Sequence, residues 1–135
     1  MREIIIVSTL LIGVISLMSF ETNQKFDLKA SIERGKEVYS IHCITCHMEK
    51  GEGLEGVFPP LAKSDYMMAD KNRSIKETLE GARGEMKVNG VVYNGEMPAS
   101  GLSDEQVSDV LNYVRNSWGN KGAAVTPAEV KAQRK

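Results

Sequence analysis

The chain lacks a charge of one sign. Lys and Arg number 17 against 18 Asp and Glu, for a formal net charge of −1 at pH 7. A nucleic-acid binder carries a clear basic surplus, so that class is set aside. Cysteines number only two, which excludes a small fold held by several disulfides. After residue 20 there is no second long apolar run, so the following part is not polytopic. Large apolar side chains are also scarce. Of 56 apolar residues, 13 fall in residues 1–20, leaving 43 for the remaining 115; nine of those 43 are Ala, and 11 of the 115 are Gly. The overall 26% charged and 41% apolar composition excludes a disordered chain. Its 135 residues match one domain at about 100–200 residues per domain. A domain so short of large side chains has a thin core, which leaves space for a non-protein group in its middle.

Residues 1–20, MREIIIVSTLLIGVISLMSF, place Arg2 ahead of an apolar run over residues 4–18 that ends in a polar stretch at 21–25. The run is apolar on every face, unlike the amphipathic helix of a small domain. It has the length of a secretory signal's hydrophobic region, although Glu3 offsets Arg2 and no A-x-A cleavage site stands near residues 16–20. The other reading is a retained N-terminal anchor, since residues 4–20 reach the lower limit of about 17 for crossing a bilayer. Both readings send the rest to the periplasm or another exported location, with membrane contact only through an uncleaved leader. Residues 21–30 read as a linker.

The two cysteines sit in His42-Cys43-Ile44-Thr45-Cys46-His47, a spacing with four readings. A short disulfide leaves the histidines incidental. A thioredoxin-type pair needs a βαβ context, and no strand alternation surrounds it. A closed zinc site needs a second Cys/His cluster, which the sequence lacks. The fourth is covalent haem attachment through C-x-x-C-H. Two thiols on one helical turn can form thioethers to neighbouring vinyl groups, and His47 then lies under the ring centre, where neutral imidazole binds iron.

A second axial ligand strengthens that reading, and a thioether suits an electron-transfer haem. Met48 adjoins His47 and cannot reach the opposite ring face. Met67 and Met68 read as packing residues near a helix start. Met86 lacks a feature that would lock it in place. Met97 stands in Tyr93-Asn94-Gly95-Glu96-Met97-Pro98-Ala99, where Pro98 holds it extended and Asn94-Gly95 reads as a turn. Met97 is therefore the expected ligand and Met86 the alternative. In Val57-Phe58-Pro59-Pro60-Leu61 the prolines stiffen the backbone, so the Pro59 carbonyl is placed to accept from the other nitrogen of His47. Leu61 and Phe58 would cover the ring.

Elsewhere, Ser31 reads as the cap of a first helix that runs to the haem motif. Ser74 reads as the cap of a short helix to about Ala82. The segment from Val88 to Tyr93, between Asn89-Gly90 and Asn94-Gly95, allows at most a tiny hairpin. Ser103 and Gln106 form a capping box for a helix with Val107, Val110, Leu111 and Val114 on one face, ending near Trp118-Gly119. Gly35 is a notch in the first helix against which this one can pack. Residues 120–135 read as a C-terminal tail, a surface wrap or linker with one possible last turn after Thr126-Pro127.

Taken together, these residues resemble a class I c-type cytochrome with one haem, over residues 31–119. The resemblance implies an all-α cytochrome c fold, with three to five short helices around one covalent haem c and a minimal β-hairpin. It implies Cys43 and Cys46 as thioether residues, His47 and Met97 as iron ligands, Pro59 as the carbonyl partner of His47, and Leu61 as a haem-packing leucine. Gly35 and Tyr39 against Val110 and Tyr113 match the crossing of first and last helices. The runs Phe58-Pro59-Pro60-Leu61-Ala62-Lys63-Ser64-Asp65-Tyr66 and Tyr93-Asn94-Gly95-Glu96-Met97-Pro98 are similar to small bacterial cytochromes. Those include domains fused to copper nitrite reductases and subunits of alcohol or sugar dehydrogenases. The implied role is one-electron transfer between redox proteins, not catalysis, with a subunit of a larger complex as the alternative. A peroxidase or sensor with an open sixth position is the remote one.

Overall fold

Five of the six helices in the computed structural model, which describes residues 25–135, open on a side-chain oxygen that accepts the backbone N–H three residues on. Asp27 opens α1 (Leu28–His42), Ser64 opens α3 (Asp65–Ala69), Asp70 opens α4 (Lys71–Glu80), Ser103 opens α5 (Asp104–Arg115) and Thr126 opens α6 (Pro127–Gln133). Each cap satisfies one of the first-turn N–H groups that a helix cannot satisfy internally. The remaining helix, α2 (Ile44–His47), is a single turn continuing from the end of α1. Two strands, β1 (Ala82–Val88) and β2 (Val91–Met97), form an antiparallel hairpin between α4 and α5. The mostly helical architecture expected from the sequence holds. Among the described residues no helix is long and apolar enough to cross a membrane, and the leader at residues 1–20 lies outside them.

The core is organised by the crossing of α1 and α5. Ser31, Gly35 and Tyr39 are the buried residues of α1, spaced four apart on one stripe. On α5 they meet Asp109, Asn112 and Tyr113, while Val107, Val110, Leu111 and Val114 are buried on the other side of that helix. A Cβ on Gly35 would fall 1.9 Å from the backbone oxygen of Asp109 and 2.9 Å from the Cβ of Tyr113, so only glycine lets the helices approach this closely. Asp109 is itself buried beside this contact. Its carboxylate accepts from Ser31 Oγ at 2.6 Å, from Arg34 Nε at 2.7 Å and from Arg34 Nη2 at 2.8 Å. Asn112 donates to Ser31 Oγ at 2.9 Å. The buried charge is thus paired and fully hydrogen-bonded, the condition under which it is tolerated.

This arrangement corrects two caps. Ser31 does not open the first helix; Asp27 does, so the helix starts at Leu28 within the stretch read as linker, and the Ser31 hydroxyl is engaged in the crossing. Nor does Ser74 open α4. Asp70 does so, while Ser74 Oγ donates to the carbonyls of Met67 and Asp70, both at 2.9 Å. Serine has the same chemistry in either role, and only the tertiary partner decides between them.

The hairpin is longer than expected. Seven residues pair with seven, from Ala82 opposite Met97 to Val88 opposite Val91. Asn89 and Gly90 make the turn, with φ of 50° and 87°, the doubly positive pattern that matches strand twist in a two-residue loop. Asn94-Gly95 is not a turn but lies within β2, opposite Glu85 and Gly84. The hairpin tip is tied to α3 by a reciprocal pair: Asn89 N donates to Asp65 Oδ1 at 2.8 Å, and Asp65 N donates to Asn89 Oδ1 at 3.1 Å.

The tail is likewise no surface wrap or linker. Val125 and Val130 are fully buried. Asn112 anchors the segment by accepting from Val125 N at 2.7 Å and donating to Val125 O at 2.8 Å, with Ser108 Oγ donating to the same carbonyl at 2.8 Å. A capping box of Thr126 and Glu129 with Pro127 at the first helical position then starts α6.

Because the crossing has no room for a methyl group, Gly35→Ala is expected to destabilise the loaded protein by about 3 kcal/mol, at the high end for overpacking. Lys36→Ala on the solvent face should stay within about 0.5 kcal/mol. Denaturant unfolding followed by far-UV circular dichroism measures both; equal midpoints for the two variants would refute this account of the crossing.

Candidate functional site

The end of α1 sets the attachment motif. Cys43 is its C-cap, with its N–H bonded to Tyr39 O, and the Cys43 carbonyl accepts from Cys46 N at 3.2 Å and His47 N at 3.0 Å. That single turn carries both thiols and His47. Cys43 is half-buried and Cys46 exposed, and no disulfide joins them. Burial first, and the neighbouring Cys46 second, push the Cys43 thiol up to about 11. Among the described residues no three His, Cys, Asp or Glu side chains converge as a metal cage.

Beyond His47 the chain reverses at Met48, whose φ is +64°. Tyr39 OH holds the reversal by donating to Met48 O at 2.7 Å. The Gly51 carbonyl accepts from Leu61 N at 2.7 Å and Ala62 N at 2.8 Å, folding the 51–62 loop back beneath the motif. As a result His47 Nδ1 lies 3.0 Å from Pro59 O. A carbonyl oxygen only accepts, so Nδ1 carries the proton and Nε2 keeps its lone pair. Burial lowers the pKa of His47, partly opposed by the bond to Pro59, which keeps the ring neutral at neutral pH.

His47 opens onto an apolar cleft. Cys43, Cys46, Pro59 and Leu61 line it with His47, while Val110, Leu111 and Val114 of α5 and Met86, Val88 and Met97 of the hairpin form other parts of the lining. The structure therefore brings Cys43, Cys46, His47, Pro59, Leu61 and Met97 together, whereas Phe58, expected to cover the ring, does not line the cleft. The donor set fits a haem: two thiols on one turn, an imidazole of fixed tautomer with a free lone pair, and an apolar lining. Of the methionines, Met48 and Met68 do not line the cleft, whereas Met67, Met86 and Met97 do. The sulfur of Met67 sits 3.9 Å from Arg115 Nη1. Met97 closes β2, and its carbonyl backs onto Gly81, where a Cβ would fall 2.4 Å away.

Some supporting residues had no sequence signal. Asn120, 7% exposed, accepts from Lys63 N at 2.9 Å and donates to Leu61 O at 2.9 Å and Val114 O at 2.8 Å. It clamps the loop carrying Pro59 and Leu61 to the end of α5. Tyr39, Tyr113 and Trp118 form a mutual cluster with ring centroids 5.1–5.4 Å apart, in the tilted and edge-on geometries that aromatic pairs favour. Trp118 packs against Gly51, where a Cβ would lie 2.6 Å from its ring. A lone asparagine after Trp-Gly carries no periodicity to read; Tyr39 and Tyr113 were expected at the helix crossing, but nothing in the sequence pointed to Trp118 joining them.

The chain is similar to known proteins over this same region. The family model for cytochrome c matches residues 32–118. Two cytochrome c-552 sequences of Thermus thermophilus are 35% identical over 91 residues, which cover 64% of this chain and 69% and 61% of theirs. The cytochrome c subunit of the quinone alcohol dehydrogenase of Gluconobacter oxydans is 32% identical over 96 residues, 70% of this chain but 20% of that subunit. The gluconate 2-dehydrogenase cytochrome c subunit of Pantoea cypripedii is 36% identical over 109 residues, 76% of this chain and 24% of that subunit. Motif, cleft and family match coincide on one stretch of sequence, and the chain belongs to the cytochrome c family, whose cofactor is a covalently bound haem c.

Proposed function

We propose that the protein is an exported one-electron carrier with Cys43 and Cys46 joined to one haem c and with His47 and Met97 as its axial ligands. The observation that carries this reading is the 3.0 Å contact of His47 Nδ1 with Pro59 O, which fixes the tautomer that leaves Nε2 for iron. A bound haem supplies reversible one-electron exchange between ferrous and ferric iron. The residues of this chain hold and insulate it. Pro59 orients the imidazole and raises its donor strength. Leu61, Val110, Leu111 and Val114 exclude water, and β2 presents the Met97 thioether ahead of Pro98. His47 and Met97 would together hold the iron and leave no open position for a substrate, which supports a carrier and not an enzyme.

The partners in this reading are donor and acceptor oxidoreductases. The near-zero net charge supplies no strong steering field and argues against nucleic acid as a partner. The apolar leader supports export to the periplasm, with membrane attachment only if it is retained. The similarity to segments of dehydrogenase cytochrome subunits favours a second form of the same role, a subunit serving a larger oxidoreductase.

Absorption spectra of protein exported with haem-maturation machinery test the ligand assignment. The reduced protein should show a sharp low-spin α band and the oxidised one a weak long-wavelength sulfur-to-iron band. Met97→Ala should abolish the sulfur band and open the sixth position to carbon monoxide, while Met86→Ala leaves both properties unchanged. The reverse result would move the ligand to Met86, and a high-spin wild type that binds carbon monoxide readily would overturn the carrier reading.

The scarcity of large apolar residues yields a further expectation. Cys43→Ala/Cys46→Ala, unable to form thioethers, should lose most helical circular dichroism in the absence of haem, because the ring completes the core. A native-like signal with cooperative unfolding from the haem-free variant would contradict it.

A further inference from the structure

Arg115, the last residue of α5, is 4% exposed and has no acidic partner among the described residues. Its Nη1 donates to the Met67 carbonyl at 2.9 Å and lies 3.9 Å from the Met67 sulfur. Its Nε is buried without a hydrogen-bond partner. The ion pairs among the described residues involve Arg34, Lys71, Arg83, Arg134 and Lys135, and none includes Arg115. The tail closes over the side chain: Gly122 N donates to Arg115 O at 2.8 Å, and a Cβ on Gly122 would lie 3.0 Å from both Cβ and Nε of Arg115.

A guanidinium does not shed its proton in a protein interior, so this site holds a fixed positive charge. Burying a cation without a carboxylate is costly, and an apolar side chain of similar volume would be the cheaper filling. The position of the charge matters for the cleft. Met67 lines the cleft, and Arg115 stands directly behind Met67. Little solvent or salt screens a charge placed there.

We propose that Arg115 sets the reduction potential of the cofactor, its charge disfavouring the additional positive charge of the ferric state and so raising the potential. The inference rests on the reading that haem occupies the cleft. Arg115 touches neither the cleft nor a ligand and acts through space from behind Met67.

Redox titration of the purified, haem-loaded protein tests this with Arg115→Gln, Arg115→Met and Arg115→Lys. Gln keeps a neutral donor for the Met67 carbonyl, and Lys keeps the charge without the planar fork. At a fixed solution potential, Gln and Met are expected to raise the ferric-to-ferrous ratio by about three- to tenfold, tenfold being about 59 mV for one electron. Lys should remain near the wild type. The shift should persist at high salt, whereas any shift from Arg83→Gln, whose side chain is 82% exposed, should vanish there. Thermal unfolding of each variant separates stability from potential: a structural role alone would lower stability in Lys and Met alike without ordering the potentials by charge. Gln and Met variants that keep the wild-type spectrum and titrate with the wild type would overturn the proposal, as would a Lys variant that shifts as far as Gln. Absence of covalent haem from the wild-type protein would instead overturn the functional reading beneath it.

Discussion

The backbone contact between Gly35 and Asp109 is the constraint on which the rest of the molecule depends. It sets how closely α1 and α5 approach, and therefore where the end of α1 delivers Cys43, Cys46 and His47 relative to Val110, Leu111 and Val114. Around it the polar groups are saturated. Asp109 is paired by Arg34, Ser31 links Asp109 to Asn112, and Asn112 pairs with the backbone of Val125. One crossing thus fixes the register of three segments distant in sequence, with buried hydrogen bonds that lose much of their value if either helix rotates.

From that crossing the site is built by loops whose shape is fixed by backbone bonds and not by a large apolar core. The 48–62 loop is drawn in by the Gly51 carbonyl, held to α1 by Tyr39 and clamped to α5 by Asn120. Its purpose is met at one atom, the Pro59 oxygen. The hairpin forms part of the cleft wall and is fastened at both ends, by Asp65 and Asn89 at its tip and by the close passage of Gly81 past Met97 at its base. Arg115 belongs to the same construction, enclosed between Met67 and the tail.

Much of this was legible in the sequence wherever local chemistry decides the outcome. C-x-x-C-H forms one turn because its spacing matches the helical repeat. Pro59 and Met97 stand out because proline restricts their backbone, and the α5 stripe follows from its period and capping box. What escaped reading was decided by distant partners. Ser31 and Ser74 look like caps, yet their hydroxyls bond elsewhere while Asp27 and Asp70 cap. The hairpin is obscured by Gly84 and Gly95, which interrupt strand alternation but lie opposite each other across the ladder. In the tail, two buried valines among small and polar residues leave no periodic trace. Asn112, Arg115 and Asn120 are polar residues whose burial no hydrophobic pattern announces.

The clamp at Asn120 also ties the loop that carries Pro59 to a residue far along the chain. His47 precedes Asn120 by seventy-three residues, and Val114, Gly122 and Val125 also lie far beyond the C-x-x-C-H turn. A chain cut before Asn120 would keep that turn and Pro59 but lose the three hydrogen bonds that fasten their loop to the end of α5. The placement of the Pro59 oxygen is thus owed in part to a residue just past the stretch that the family model matches.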